Sequence, residues 1–537
     1  MTRANLRADA LAGVSVALVA IPQSLAYAQL AGLPAYYGLY AALLPTVIGA
    51  LFGSSAQLST GPVALTSLLT AASIAPLAAT GSPHYVQLAI ALALLSGAFQ
   101  LAFGLMRLGV LMNLLSHPVL MGFINAAAIL ISLSQLPALL GIPAPSPSGH
   151  VLVDAWHAIT TIGTLHGLSA AFGAGAIVLL ALLKWRVPRL PGVLLVAALF
   201  TAASYAIDFP GGGGRVVGVI PAGLPALQLP RVNFETITLL VPAAFAIAII
   251  SFMEAMSSAK IAAIRTAQRW DENQELIGQG LAKLAAAVSQ TMPVSGSFSR
   301  SALNLAAGAR TGLSSVVSAG CVLATVLFLT PLLQYLPVPV LAAIIVTALA
   351  NLVNLRSLLN SWRASRDDAV AAAITFAATL AFAPHIQNGI VAGIVVSLGL
   401  FIFRRMGPDL AVVDPGADTG IGGIRFDASL VFVNVSYFES AVLQLERRHP
   451  RLRFILVSAQ GINALDASGV EMLRSLADGL RKKGIGLVFA GVKPQVQAVM
   501  QRTGLLDELG AENFFESDAA ARDALLRRMN APAAPRE

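Results

Sequence analysis

Between residues 9 and 405, apolar runs of about 20 residues follow one another almost without pause, and no other feature constrains the fold as much. A hydrocarbon core about 30 Å thick takes about 20 helical residues to cross. Inside it every backbone N–H and C=O must be satisfied by the protein itself. The runs do not alternate in ten-residue segments as membrane strands do, so the chain reads as a polytopic α-helical membrane protein. Composition points the same way. Of 537 residues, 56% are hydrophobic and 11% charged, with a mean hydropathy of +0.77, against about 25% charged in an average soluble domain. A soluble enzyme is excluded. The single Cys321 rules out a disulfide framework and any multi-cysteine metal site.

Hydropathy divides the membrane part into fourteen segments, near 9–30, 35–53, 62–78, 85–106, 114–135, 168–184, 190–207, 237–258, 275–291, 298–309, 313–330, 337–353, 369–384 and 388–404. Two of them, the third and the tenth, are too short or broken to span alone. With the N-terminus inside, alternate connections carry Arg3 and Arg7, Arg107, the cluster Lys184, Arg186 and Arg189, and then Lys260, Arg265 and Arg269. The series continues with Arg310, with Arg356, Arg363 and Arg366, and with Arg404 and Arg405. The opposite connections hold only Arg215 and Arg231, in a loop containing the GGGG run 211–214. That asymmetry predicts an even number of crossings with both termini in the cytoplasm. Residues 1–405 carry 19 lysines and arginines against 10 acids, a net of +9, and residues 406–537 carry 15 against 16, a net of −1. The basic balance therefore reports membrane orientation and not a nucleic-acid partner. The first residues imitate a signal peptide ending at Ala26-Tyr27-Ala28, but the many following spans predict an uncleaved first helix.

The third and tenth segments share an interruption. Gly61-Pro62 opens one, and Pro293-Val294-Ser295-Gly296 opens the other about 235 residues later. Paired broken helices an odd number of crossings apart are the pattern of an inverted repeat with a midplane site; two unrelated turns would look the same. The second interruption runs PVSGSFSRSALNLAAGART (293–311), with Arg300 between Ser299 and Ser301. An ionisable group at membrane depth faces a water-filled cavity or a partner, which makes this stretch a candidate binding site. Glu254 is the only carboxylate within the eighth segment.

After Arg405 the texture changes. GIRFD, SLVFVNV, RFILVSAQ and IGLVFAGV read as short strands, with helical patterns near 436–448, 468–483, 494–502 and 517–529. Alternating strands and helices predict a small α/β domain over 420–530, joined by a linker at 406–419 and followed by a disordered tail at 531–537. The seven histidines (His84, His117, His150, His157, His166, His385 and His449) show no metal spacing, and no phosphate-binding loop or nucleophile elbow is present. ATP-driven transport and hydrolysis have no support, and no cofactor is expected beyond a coupling ion.

Three ordered blocks carry a resemblance: IPQSLAYAQLAGLPAYYGLYAALLP (21–45), STGPVALTSLL (59–69), and the stretch from NQELIGQG to PVSGSFSRSALNLAAGART (273–311). Together they resemble the SulP anion permeases, and the C-terminal part resembles the STAS domain attached to such carriers. The resemblance implies a seven-plus-seven inverted repeat over 1–405. It also implies a core (about 9–110 and 237–330) that moves against a gate (about 111–236 and 331–405) in an elevator-like motion, within a homodimer of the bacterial inner membrane. If the two broken segments are half-helices meeting near midplane, their N-termini offer unpaired N–H groups and partial positive charge to one cavity, which is an anion site before any side chain is added.

Arg300 adds a charge that cannot be removed by deprotonation, unless it serves only a structural pairing. Ser299 and Ser301 add hydroxyls, although serine in membrane helices also bonds to its own backbone. By resemblance the site is lined by Gln23, Tyr27, Val63, Ala64, Phe298, Ser299, Arg300 and Ser301. Glu254 stands where proton-coupled relatives carry a glutamate, and either couples a proton or pairs with Arg300; sodium coupling is the weaker alternative. Lys283 departs from the asparagine of many relatives and either snorkels to the cytoplasmic face or pairs with Glu254. In NALDASGVEML (463–473), Ala467 occupies the position of the phosphorylatable serine of anti-sigma antagonists, with Ser468 next. The domain is therefore expected to serve assembly, trafficking or docking of a cytoplasmic protein. The leading function is proton-coupled uptake of sulfate or a related oxyanion. A C4-dicarboxylate or bicarbonate carrier, an uncoupled anion channel, a membrane-anchored scaffold acting through 420–530 and a nucleobase carrier are the alternatives.

Overall fold

A computed structural model of the chain describes residues 3–109, 116–142, 153, 160, 165–187, 190–221, 223–230, 233–350, 353–383, 386–413 and 420–530. His150, His157, Arg189, Arg231 and His385, much of the connection between the fifth and sixth segments, and the 531–537 tail lie outside them. The chain divides into two compact units, Met1–Ser397 and Leu398–Glu537.

The first half of the membrane unit holds α1 (Arg3–Leu30), α2 (Tyr36–Ala41), α3 (Leu44–Phe52), β1 (Ser59–Gly61), α4 (Ala64–Ile74), α5 (Pro83–Leu105), α6 (His117–Ser134), α7 (Leu136–Leu140), α8 (Gly167–Arg186) and α9 (Gly192–Ala206). The second half holds α10 (Phe234–Thr266), α11 (Glu272–Val288), β2 (Ser295–Ser297), α12 (Phe298–Ala306) and α13 (Leu313–Ala324). After a π-turn at Thr325–Leu329 come α14 (Thr330–Leu333), α15 (Val338–Ala350), α16 (Leu355–Ala364), α17 (Arg366–Ala381) and α18 (Gln387–Met406). Each of the fourteen expected segments is represented. Among the described residues, seven helices are long and apolar enough to cross a membrane, whereas α4 and α12 have only 11 and 9 residues.

Local chemistry explains where the elements depart from simple hydropathy. The second segment breaks between Ala41 and Leu44 because Pro45, in the first turn of α3, has no N–H to continue the preceding turn. The π-turn sits just before Pro331, whose ring would otherwise clash with the carbonyl four residues earlier. The connection carrying Arg356 and Arg363 contains α16, a ten-residue helix too polar on one side to register as a span. Helices α5 and α11 approach closely through glycines: a Cβ on Gly280 would lie 2.6 Å from the Leu101 amide nitrogen, and one on Gly97 would lie 2.9 Å from Cβ of Lys283. Small residues at such crossings are the usual device of membrane helix packing.

The two interrupted segments meet as strands. β1 and β2 pair antiparallel, Ser59 with Ser297, Thr60 with Gly296 and Gly61 with Ser295; α12 starts directly after β2, and α4 starts after Pro62 and Val63. A two-stranded ribbon in a bilayer still has outward backbone groups to satisfy, and side chains do this. The Ser59 N–H donates to Ser301 Oγ at 2.8 Å, and Thr46 Oγ1 donates to the Thr60 carbonyl at 2.8 Å. Asn304 Nδ2 donates to the Gln57 carbonyl at 3.1 Å, and Ser295 Oγ donates to the Ser251 carbonyl of α10 at 2.7 Å.

In the second unit a five-stranded sheet has the order β3 (Leu410–Val413), β4 (Ile421–Phe426), β5 (Phe454–Ser458), β6 (Gly486–Ala490), β7 (Phe514–Phe515), with β3–β4 antiparallel and the rest parallel. Around it lie α19 (Val435–Arg448), α20 (Ala467–Lys482), α21 (Pro494–Arg502), α22 (Leu505–Leu509) and α23 (Asp518–Asn530). β3 falls in the stretch read as a linker; residues 414–419 lie outside the described residues. SLVFVNV is not a strand. Asn434 accepts from the Val431 N–H at 3.0 Å and donates to the Ser429 carbonyl at 2.9 Å, folding the backbone into a turn, and only Leu430 forms a bridge, to Leu465. The core gathers Phe426, Phe438, Val442, Ile455, Val457, Leu473 and Phe489.

The Ser301 brace yields a stability prediction. In Ser301→Ala the buried Ser59 N–H loses its acceptor, at a cost of about 1–3 kcal/mol, and the thermal midpoint of detergent-purified protein should fall. An unchanged midpoint would show that the ribbon does not depend on this hydroxyl.

Candidate functional site

The site is built where the ribbon hands over to its two half-helices. Val63, the N-cap of α4, is extended and has no side chain able to cap. The first N–H groups of α4, those of Ala64, Leu65 and Thr66, therefore have no helical or side-chain acceptor. On the opposing half-helix, Ser297 is the N-cap and accepts from the Arg300 N–H at 3.4 Å. Phe298 and Ser299 are exposed, whereas Arg300 and Ser301 are buried. The Ser299 hydroxyl lies 3.5 Å from that of Ser297.

The Arg300 side chain turns back across β1. Its Nη1 donates to the Pro62 carbonyl at 2.9 Å and its Nε to Ser59 Oγ at 3.4 Å, while Nη2 is buried with no hydrogen-bond partner among the described residues. A void of about 10 Å³ adjoins it, lined by Ser24, Thr46, Ser59, Thr60, Gly61 and Ser318 among others; that is room for about one water. Gly61 leaves the guanidinium its place, since a Cβ there would stand 3.1 Å from Nη2. Part of the arginine thus braces the interruption, and part is unspent.

Gln23 and Tyr27 share a face of α1 and are both buried. Gln23 Oε1, Ser24 Oγ, Thr66 Oγ1, Ser67 Oγ, Arg300 Nη2 and Glu254 Oε2 are all buried without a hydrogen-bond partner among the described residues. Buried polar atoms are ordinarily paired; these six lie on α1, α4, α10 and α12, and Ser204, Trp270, Gln279 and Asn304 each hold one more such atom. Ser24, Thr66 and Ser67 were missed by sequence reasoning. Their signal was adjacency: Ser24 follows Gln23, and the Thr66-Ser67 pair lies in the first turn of the half-helix.

Glu254, on α10, lies in the electrostatic field of both Arg300 and Lys283, and Tyr27 in that of Arg300 and Glu254. Among the described residues Glu254 forms no ion pair within 4.0 Å, so the expected contact pairing with Arg300 is not what holds it. Lys283 neither snorkels nor pairs with Glu254. It is fully buried on α11, and its Nζ donates to Gln100 Oε1 at 2.8 Å. Among the described residues no group of three or more His, Cys, Asp or Glu converges as a metal site would. In the second unit, Asp466 caps α20 by accepting from the Gly469 N–H at 2.8 Å and also accepts from the Phe432 N–H at 2.8 Å; Ala467 and Ser468 lie exposed beside it.

Residues 6–375 match the sulfate permease family and residues 416–521 the STAS domain. A probable sulfate transporter of Mycobacterium tuberculosis is 33% identical over 97% of this chain and 96% of its own length. The probable sulfate transporter 4.2 of Arabidopsis thaliana is 32% identical over 98% of this chain and 82% of its own. Among solved structures, the murine solute carrier 26 family member A9 anion transporter in the inward-facing state superposes with a TM-score of 0.91 at 22% identity, covering 98% of this chain and 92% of that one. The transmembrane domain of the cyanobacterial bicarbonate transporter BicA gives 0.64 at 24% identity, over 74% and 99%; at these identities the likeness concerns the fold. Matched over more than half its length and joined to a STAS domain, the chain belongs to the sulfate permease family.

Proposed function

We propose that this protein is a secondary anion transporter that takes up sulfate or a related oxyanion together with a proton. The observation carrying the proposal is the convergence of the uncapped α4 N-terminus, the exposed Phe298-Ser299 start of α12 and the half-satisfied Arg300 guanidinium on one interruption of the bundle. Backbone N–H groups at helix N-termini and a permanent guanidinium charge are what a dehydrated anion needs. The sulfate transporter names of the relatives favour sulfate within that class. Gln23, Tyr27, Val63, Ala64, Phe298, Ser299 and Arg300 are the proposed substrate contacts. Ser301, expected from the sequence to line the site, acts instead through the ribbon, where it accepts from the Ser59 N–H.

Glu254 is the proposed proton carrier. Its Oε2 has no hydrogen-bond partner among the described residues, and a carboxyl of that kind can bind a proton on one side and release it on the other. The transporter is placed in the bacterial inner membrane with both termini cytoplasmic, as a homodimer. Its core (about 9–110 and 237–330) moves against its gate (about 111–236 and 331–405). The STAS domain, with Ala467 at the usual phosphoacceptor position, serves assembly or protein docking in place of a phosphoserine switch. Counterflow of labelled sulfate, fumarate and bicarbonate in proteoliposomes identifies the substrate; flux that fails to saturate and ignores the pH gradient would instead indicate a channel.

Arg300→Ala should abolish substrate binding in protein that still folds, measured as uptake per correctly inserted molecule, and near-normal uptake would remove the arginine from the site. Ser299→Ala should leave the thermal midpoint unchanged while weakening apparent sulfate affinity; a loss of stability with affinity intact would reverse the roles assigned to Ser299 and Ser301. In Glu254→Gln sulfate exchange should persist while accumulation driven by an inward proton gradient disappears, because the amide cannot carry the proton. Accumulation equal to wild type would mean that the proton is carried elsewhere.

A further inference from the structure

Lys283 has no place in the site as read from the sequence, yet it is fully buried in the middle of α11. Its position is built. Gln100 of α5 donates through Nε2 to the Ala248 carbonyl at 2.7 Å and to Ser251 Oγ at 3.1 Å. That fixes the amide so that its Oε1 faces Lys283 and accepts from Nζ. Gly97 leaves space for the lysine stem, since a Cβ there would stand 2.9 Å from Cβ of Lys283. Ser251, one turn before Glu254, also gives its carbonyl to Ser295 of β2. The lysine is thus tied through one glutamine to the turn of α10 that carries Glu254 and to the strand that leads into Arg300.

The charged groups of this cluster are Arg300 from α12, Lys283 from α11 and Glu254 from α10; Tyr27 from α1 is a phenol and Gln100 from α5 an amide. Glu275 lies eight residues from Lys283 on the same helix, about 12 Å along its axis. Its charge is already met by the Ser54 and Ser55 N–H groups at 3.0 and 2.8 Å and by Gln279. Uncompensated charge is costly at membrane depth, so the net charge of the cluster selects what it can hold. Two cations with a protonated Glu254 balance one divalent anion. With Arg300 alone, a divalent anion would leave one negative charge over, and a monovalent anion would fit.

We infer that Lys283 is a specificity-determining residue that adapts the buried cluster to divalent anions by making its loaded state neutral. The inference rests on the anion-transport reading given above. It needs no contact between Lys283 and the anion, only a shared low-dielectric interior in which a unit charge acts at a distance.

The test uses full-length protein in proteoliposomes. Sulfate counterflow, which exercises only the loaded state, is measured at acid pH with the potential set at zero or inside-negative by valinomycin and a potassium gradient. Wild-type counterflow should be the same at both potentials, and a clear dependence on potential would overturn the neutral loaded state without recourse to any variant. In Lys283→Met counterflow should become potential-dependent. The apparent sulfate affinity should fall about tenfold or more, while competition by nitrate changes much less; Lys283→Arg should restore both. A folded Lys283→Met with an unaltered ratio of sulfate to nitrate affinity would overturn the inference while leaving anion transport intact. Absence of any sulfate flux in wild type would overturn both readings together.

Discussion

An extended strand at membrane depth is tenable only if its backbone finds partners inside the protein, and the membrane unit depends on how that demand is met. β1 and β2 meet it for each other by antiparallel pairing, and they come from segments more than two hundred residues apart. Their joining fixes two half-helices at one level. The remaining edges are closed by Thr46, Ser301 and Asn304, and Gln279 Nε2 holds Thr60 Oγ1 at 2.8 Å. The interruption is thus a cross-linked knot between the two halves of the chain. It leaves the α4 N-terminus uncapped while the strands that lead into it are paired.

Buried charges divide into those the fold consumes and those it leaves open. Asp9 accepts from the Arg310 and Thr311 N–H groups at 2.7 and 3.0 Å and from Thr311 Oγ1 at 2.6 Å. Glu275 is held equally firmly by Ser54, Ser55 and Gln279. Both carboxylates clamp a helix to a loop, with backbone N–H donors that make them strong and static. Glu254 has an oxygen with no such donors. The contrast separates two carboxylates that hold the fold together from one whose Oε2 the described residues leave unused.

Much of this was legible in the sequence. Apolar runs gave all fourteen segments, and Gly61-Pro62 and Pro293-Gly296 marked both interruptions, because proline and glycine disturb a helix through local sterics that need no tertiary context. That the interruptions pair as strands was not legible: three residues of STG and three of SGS carry no strand periodicity, and only their juxtaposition makes them strands. The same limit applies to Lys283, whose partner Gln100 lies 183 positions away, so neither of its expected fates was the one adopted. SLVFVNV has the composition of a strand, but Asn434 bends it into a turn through hydrogen bonds to residues three and five positions back. α16 was hidden for the opposite reason, its polar face making an amphipathic helix look like a connection.

The four serines at 295, 297, 299 and 301 show why a composition-level reading of such a stretch stops short. All stand at alternate positions, yet the chain changes from strand to helix between the second and the third, and each hydroxyl meets a different environment. Ser295 donates to α10, Ser297 caps α12, and Ser301 accepts from β1. Ser299 touches only the Ser297 hydroxyl, weakly, and stays exposed. Arg300 sits between the last two and spends Nη1 and Nε on the ribbon while keeping Nη2 unspent. Three of the four hydroxyls are fixed; the fourth is exposed, the first N–H groups of α4 are uncapped, and Arg300 adjoins a small void lined by Ser24, Thr46 and Ser318. Preorganised donors of this kind cost an incoming anion no rearrangement of the protein. One short polar stretch thus braces a membrane bundle while keeping free the donors that the proposed anion would use.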